Sequence, residues 1–411
     1  MRVILVILYI VTFAICEDKP GQLNQQPLES PVNLTHALSL VDSIEVDGEV
    51  LYFIWIYADA PSYKPVAAPG EGIACVDDVG RFMEVLETEI LTYQRRELLP
   101  IAVGMTRFLL YMSREDGLWY NFIYQDGSIN RTHQNSKAEF GWWAIRGLRG
   151  LAAADKILTG SPEHKSLLTA VEERIRTADR HIEAALHNYP EQIMTSLGLR
   201  PKWLVKNAPD MNSELLLALT KLQESGKFDY RDEIRKIARG LIAYQYRFPK
   251  HDLNGMYFCW DSLWHNWGNN QTLALLEAYK ITENDTLLLS VREWADGFVP
   301  FVLENNFPQR ITIAGNGSYS VTMFPQIAYG INSMYRALNT LAGLTGDRQY
   351  AKKAERVFRW YKGGNVAGKA MYQSETGRCY DGINSAVSIN MNSGAESTLE
   401  CLLSIQKRGF Y

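Results

Sequence analysis

Residues 137–158 read KAEFGWWAIRGLRGLAAADKIL, and residues 161–187 read SPEHKSLLTAVEERIRTADRHIEAALH. The first stretch is rich in Gly, Ala and aromatic residues around Phe140-Gly141-Trp142-Trp143-Ala144. The second carries Glu172, Glu173, Arg174 and Arg176 together. A helix that is apolar nearly all round is buried, whereas a one-sided helix forms an outer layer. The pair therefore predicts an inner helix followed by an outer one.

Outward from this pair the contrast recurs. Helices are predicted over 77–94, 97–114, 137–158, 161–187, 209–225, 228–248, 262–281, 284–304, 325–345, 347–362 and 391–407, with 33–44 as a twelfth candidate. Tyr329-Gly330-Ile331-Asn332 belongs to the charge-poor class, and Arg231-Asp232-Glu233-Arg235-Lys236 to the charged one. The first members begin near 77, 137, 209, 262, 325 and 391, a roughly constant period that signals repeated helical hairpins. Six such pairs close into an all-α (α/α)6 toroid, with short β-hairpin or extended segments in its loops. The run Val50 to Tyr57 is one extended candidate. An open solenoid is the structural rival, but its repeats are usually shorter and more alike. One toroid domain over 32–411 is expected.

The chain of 411 residues is 46% hydrophobic, enough for a large core. Its net charge of -4 gives no electrostatic reason to expect nucleic acid as a partner. Residues 1–16 combine Arg2 with an uncharged run, Val3 to Cys16, that is short for a membrane span and suits a signal peptide. Residues 17–31 are polar and read as a flexible linker. The expectation is an exported monomer, periplasmic or extracellular, with lipid anchoring through Cys16 as an alternative. No transmembrane segment is expected in the mature chain. Cys75, Cys259, Cys379 and Cys401 show no metal-finger spacing, so they form either one or two disulfides or buried thiols. No cofactor or metal is expected.

In a toroid the starts of the inner helices meet around one hollow. The long loops 114–136 and 363–390 should gather at that mouth. Asp77, Asp78, Glu139 and Glu396 are the candidate catalytic carboxylates there. Trp142, Trp143, Asn212, Trp264, His265, Trp267, Asn269 and Asn392 are candidate sugar contacts, because rings stack on sugar faces and amides meet hydroxyls. Two carboxylates on either side of a bond can serve as general acid and base. Structural readings stand beside these. Asp77 or Asp78 can cap a helix, and Ser136-x-x-Glu139 and Ser393-x-x-Glu396 both match the capping box. Trp142 and Trp143 are adjacent, so one faces the hollow while the other faces the core. A lone His265 is commonly structural.

Three stretches carry a resemblance. Glu71-Gly-Ile-Ala-Cys-Val-Asp-Asp78, Tyr380-Asp-Gly-Ile383 and Asn392-Ser-Gly-Ala-Glu-Ser-Thr398 are similar to motifs of a bacterial and archaeal group of six-hairpin glycosidase-like proteins, some fused to glycosyltransferases. The resemblance implies an (α/α)6 toroid and carbohydrate metabolism. It marks Asp77, Asp78, Asn392 and Glu396, and adds Asp381 from its loop. The signal segment and the lack of a fused transferase point to a standalone exported protein. The expected function is a glycoside hydrolase on an oligo- or polysaccharide, with carboxyl spacing distinguishing inversion from retention. A non-catalytic cell-surface glycan-binding protein is the alternative, as is a polysaccharide lyase using His265 and Tyr329. An epimerase usually acts inside the cell, which the signal disfavours.

Overall fold

The computed structural model describes residues 28–408. The expected signal segment, Cys16 and most of the expected linker lie outside the described residues. The helices are α1 Thr35–Ser39, α2 Val76–Leu91, α3 Leu99–Met112, α4 Trp142–Thr159, α5 Lys165–Arg176, α6 Asp179–Leu186 and α7 Pro209–Glu224. They continue with α8 Arg231–Ile242, α9 Gln271–Thr282, α10 Asp285–Glu293, α11 Val299–Glu304, α12 Ala328–Thr345, α13 Arg348–Phe358 and α14 Ala395–Gln406.

Burial separates them into two layers. In α7 every residue from Pro209 to Thr220 is buried, whereas α8 buries only Ile234, Ile237, Ala238, Gly240 and Leu241. α2 packs on α4, α4 on α7, α7 on α9, α9 on α12, α12 on α14, and α14 returns to α2. That circuit closes a ring of six inner helices, and α3, α5, α8, α10 and α13 lie against it from outside. The architecture is the (α/α)6 toroid. Glycine permits the tightest contact: a Cβ on Gly80 would lie 2.6 Å from the Arg146 carbonyl oxygen, so α2 and α4 touch backbone to backbone.

Three expectations change. The twelfth helix is only the five-residue α1, because Val41–Val46 (β1) leaves it to pair antiparallel with Glu49–Ile54 (β2). The segment 161–187 is two helices, α5 and α6. The helix predicted from 262 begins at Gln271; before it, Leu263–His265 is a strand paired with Arg310–Ile313, and Gly268 takes a positive φ of 70° that a helix excludes. Cys75, Cys259, Cys379 and Cys401 are buried free thiols. Among the described residues no helix is long and apolar enough to cross a membrane.

Candidate active site

The inner helices start at one mouth, and short ladders fix their first turns. Ala74–Cys75 pairs with Phe122–Ile123 from the 114–136 loop. The Val76 N–H then donates to both Asn121 O (2.9 Å) and Asn121 Oδ1 (3.1 Å). These bonds set Asp77 and Asp78 in the first turn of α2, where helix N–H groups favour negative charge. Neither acid caps the helix with its side chain. Asp77 accepts from Asn121 Nδ2 (3.1 Å) and Arg146 Nη1 (3.2 Å). Asp78 is 4% exposed and accepts from Arg81 Nη1 (3.0 Å) and Cys75 Sγ (3.3 Å).

The last inner helix supplies the opposite wall. Glu396 lies in the first turn of α14 and its side chain is 44% exposed. Arg81 Nη2 donates to it at 2.8 Å, and Arg81 Nε donates to Glu400 at 2.8 Å. One guanidinium thus holds Asp78, Glu396 and Glu400 together. Asp381 Oδ1 accepts from the Gly394 N–H (2.9 Å) and Ser397 Oγ (2.6 Å), tying the 363–390 loop to the same helix start. Asp77, Asp78, Arg81, Arg146, Asp381 and Glu396 line a cavity of about 250 Å³, with Ile56 and Tyr57 on its apolar side.

Burial dominates the electrostatics here. It pushes the Asp78 carboxyl up to about 6; Arg81 pulls the other way without prevailing, and Glu396 and Asp77 add to the rise. Asp381 is also raised by burial, against its bonds from Ser397 and Gly394. One layer deeper, Arg149 salt-bridges Glu84 (2.5 Å) and Glu214. Burial would raise Glu214, but Arg149 and Arg146 outweigh it and hold its carboxyl down at about 2. Tyr329 joins the layers, donating to Glu214 (2.7 Å) and accepting from Arg146 Nη2 (2.9 Å).

Of the residues singled out from sequence, Asp77, Asp78, Asp381 and Glu396 meet in one cavity. Trp142 stands beside it, its ring stacked under the Arg146 guanidinium at 4.8 Å. Trp267 is 38% exposed and stacks on His265 at 3.8 Å. His265 is 4% exposed; Nε2 bonds Asp210 Oδ2 at 3.0 Å and Nδ1 bonds the Trp267 carbonyl. Burial lowers its pKa, but the Cys259 thiol and the Asp210 carboxylate more than reverse that and raise it to about 10. Both ring nitrogens are thus committed to Asp210 and the Trp267 carbonyl, and His265 is not part of the cavity lining.

Several candidates fall elsewhere. Trp143 is core, its Nε1 donating to the Trp119 carbonyl at 2.6 Å. Trp264 is fully buried edge-on to Phe298, because the strand at 263–265 turns it inward. Asn212 clamps the turn before α7 through Val205 and Ala208. Asn269 is 1% exposed and its amide has no protein partner, so it offers no surface to a sugar. Asn392 Oδ1 accepts from the Ala60 N–H and braces that loop. Glu139 precedes α4, salt-bridges Lys206 at 2.6 Å and lies outside the cavity lining. The capping boxes do not form either. Ser136 Oγ accepts from the Asn121 and Phe122 N–H groups, and Ser393 Oγ donates to the Cys379 carbonyl.

Arg81, Arg146, Glu400 and Asn121 were not anticipated. Three of them carry a readable signal: Arg81 follows Asp78 by three residues, and Arg146 and Glu400 follow Trp142 and Glu396 by four. Each lies one turn deeper on the same helix face. Among the described residues no group of three His, Cys, Asp or Glu side chains gathers as metal ligands would.

No protein-family model matches the sequence, and no curated protein matches it either. Solved structures do. Cellobiose 2-epimerase from Bacillus thermoamylovorans B4167 is similar at TM-score 0.64 and 12% identity, over 92% of this chain and 96% of that one. The likeness is one of fold. A D-mannose isomerase is similar at 0.60 and 12% identity over 89% and 92% of the two chains. A family 76 glycoside hydrolase from a bovine Bacteroides thetaiotaomicron strain is similar at 0.56 and 14% identity, over 91% and 75%.

Proposed function

We propose that the protein is a carbohydrate-active enzyme, and specifically a glycoside hydrolase working at the α2–α14 mouth. The observation that carries this reading is Asp78: a buried carboxyl raised to about 6, beside Glu396, which is nearly half exposed on the same cavity wall. A carboxyl raised this far holds its proton in mildly acidic solution, which suits it to be the acid of the pair. Asp78 donates its proton to the glycosidic oxygen as the bond to the anomeric carbon breaks. Glu396 takes a proton from the water that adds to that carbon, or attacks the carbon itself. Asp77 holds Arg146, Trp142 beside it offers a face for a sugar ring, and the part-exposed Trp267, next to the Gly268 that approaches the Trp142 ring, offers a second. The structural neighbours support the substrate class, since an epimerase, an isomerase and a hydrolase of sugars all use this fold.

The test is incubation of the full chain with a panel of oligo- and polysaccharides, followed by assay of new reducing ends. Hydrolysis by the wild type, lost in Asp78→Asn and Glu396→Gln with melting temperatures no lower than that of the wild type, supports the proposal. Glycans that bind equally to wild type and both variants, and are never cut, favour the glycan-binding alternative.

A further inference from the structure

The cavity described above has an unbalanced wall. Asp77, Asp78, Asp381 and Glu396 face it, against Arg81 and Arg146. Both arginines are already charge-paired within the wall. Each of the three nitrogens of Arg81 bonds a different carboxylate, and the guanidinium also lies 4.9 Å from the Tyr329 ring centre. Arg146 directs its terminal nitrogens to Asp77 and Tyr329, while its plane is covered by the Trp142 ring. Arg149, the next cation inward, is held by Glu84 and Glu214. Asp381 keeps Oδ2 free, because both its bonds fall on Oδ1.

A ligand carboxylate or sulfate entering this cavity meets surplus negative charge and no uncommitted cation. Like charges at close quarters in a partly dry site repel strongly, and burying an anion without a partner is costly. Abstraction of a proton beside a uronate carboxylate also requires that carboxylate to be neutralised, and every guanidinium that could do so is already paired. From this geometry we infer that the substrate is a glycan without acid groups at the bound sugars, and that uronate-containing and sulfated chains are excluded. Hydroxyls suit the same wall, since they donate to the free oxygens of Asp381 and Glu396. This inference names the substrate class of the site proposed above and rests on that site being the one that binds sugar.

The experiment uses matched pairs: gluco-, manno- and galacto-oligosaccharides and their C6-carboxylate counterparts. Turnover is followed with the wild-type chain, and binding by calorimetry with Asp78→Asn, so that affinity is read even where nothing is cut. The expected result is at least about tenfold weaker binding and turnover of the uronate of each pair that binds. The gap narrows as salt rises and narrows again in Asp381→Asn. Equal or tighter binding of uronates overturns the inference; if their cleavage gives saturated products, the hydrolase reading survives. An ultraviolet-absorbing unsaturated product from a uronate sinks both. Neutral glycans bound in preference but never cut uphold the inference while removing the hydrolase reading. Failure of every neutral glycan to bind overturns the inference.

Discussion

Replacing Asp78 by asparagine separates a structural from a chemical role. The carboxyl rises from 3.8 to about 6, a shift of about two units, and at 1.36 kcal/mol per unit this is about 3 kcal/mol. The sign follows from linkage. The folded chain binds this proton more tightly than the unfolded chain, so the contribution to stability is fully present below about pH 4. It is lost as pH climbs through about 6. At pH 7.5 the fold carries the whole cost of a bare, buried carboxylate. That cost already includes the attraction of Arg81, one of the causes of the net shift.

Asparagine keeps the shape, still offers Arg81 an amide oxygen, and leaves Glu396 and Glu400 on the guanidinium. Asp78→Asn should therefore be more stable than wild type at pH 7.5, by up to about 3 kcal/mol, with the gain fading towards zero near pH 4. Turnover should fall by about 10²–10⁴. Urea unfolding at both pH values, with reducing-end release at pH 7.5, measures all three quantities. A variant weakened by about 1 kcal/mol at neutral pH, the cost of a lost helix cap, would refute the reasoning. So would a stability difference that does not change with pH.

The same shift predicts that wild-type turnover declines as pH rises through about 6, because the acid must hold its proton; a pH–rate profile with no limb near that value removes Asp78 from the role. Asp210→Asn removes the carboxylate bonded to the buried His265, should bring the His265 pKa down, and should cost about 1–3 kcal/mol in denaturant unfolding. His265 itself, raised to about 10, should show no titration in its ring NMR signals between pH 6 and 8. Trp267→Ala should weaken glycan binding about tenfold at little cost in stability, whereas Trp264→Ala should cost about 3–5 kcal/mol, as a core truncation does; paired calorimetry and melts distinguish the two tryptophans.

The toroid was legible because burial leaves a compositional trace: α7, buried all round, reads as charge-poor, and α8, buried on one face, reads as charged on the other. The acids were legible because Asp77, Asp78 and Glu396 sit at helix starts, and helix starts of one layer converge. The different fates of Trp264 and Trp267 were not. Trp264 and Trp267 are three residues apart in a stretch whose composition fits a helix. A strand pairing with residues more than forty positions downstream sends the first into the core, while the second stays at the surface. Neither the partner strand nor the direction it imposes is encoded locally. The same limit hid the reach of the arginine clamps: Arg81 has a local partner in Asp78, but Glu396 and Glu400, and the Asp77 that holds Arg146, lie on other helices.

Those clamps couple the site to closure of the ring. Arg81 on α2 holds Glu396 and Glu400 on α14, partners 315 and 319 residues away, so the seam between the first and last inner helices runs through the candidate site. Hydrophobic packing alone would close the seam and leave the acids unrelated to it. Arg81→Met removes a charge of similar volume and leaves Asp78, Glu396 and Glu400 facing one another, two of them buried. The expected cost is about 3–5 kcal/mol or more, concentrated at the seam. Hydrogen exchange should speed up in α14 and the start of α2 well before it does in α7 and α9, on the far side of the ring. If protection falls uniformly around the ring, the guanidinium is a general stabiliser and not the clasp of the toroid.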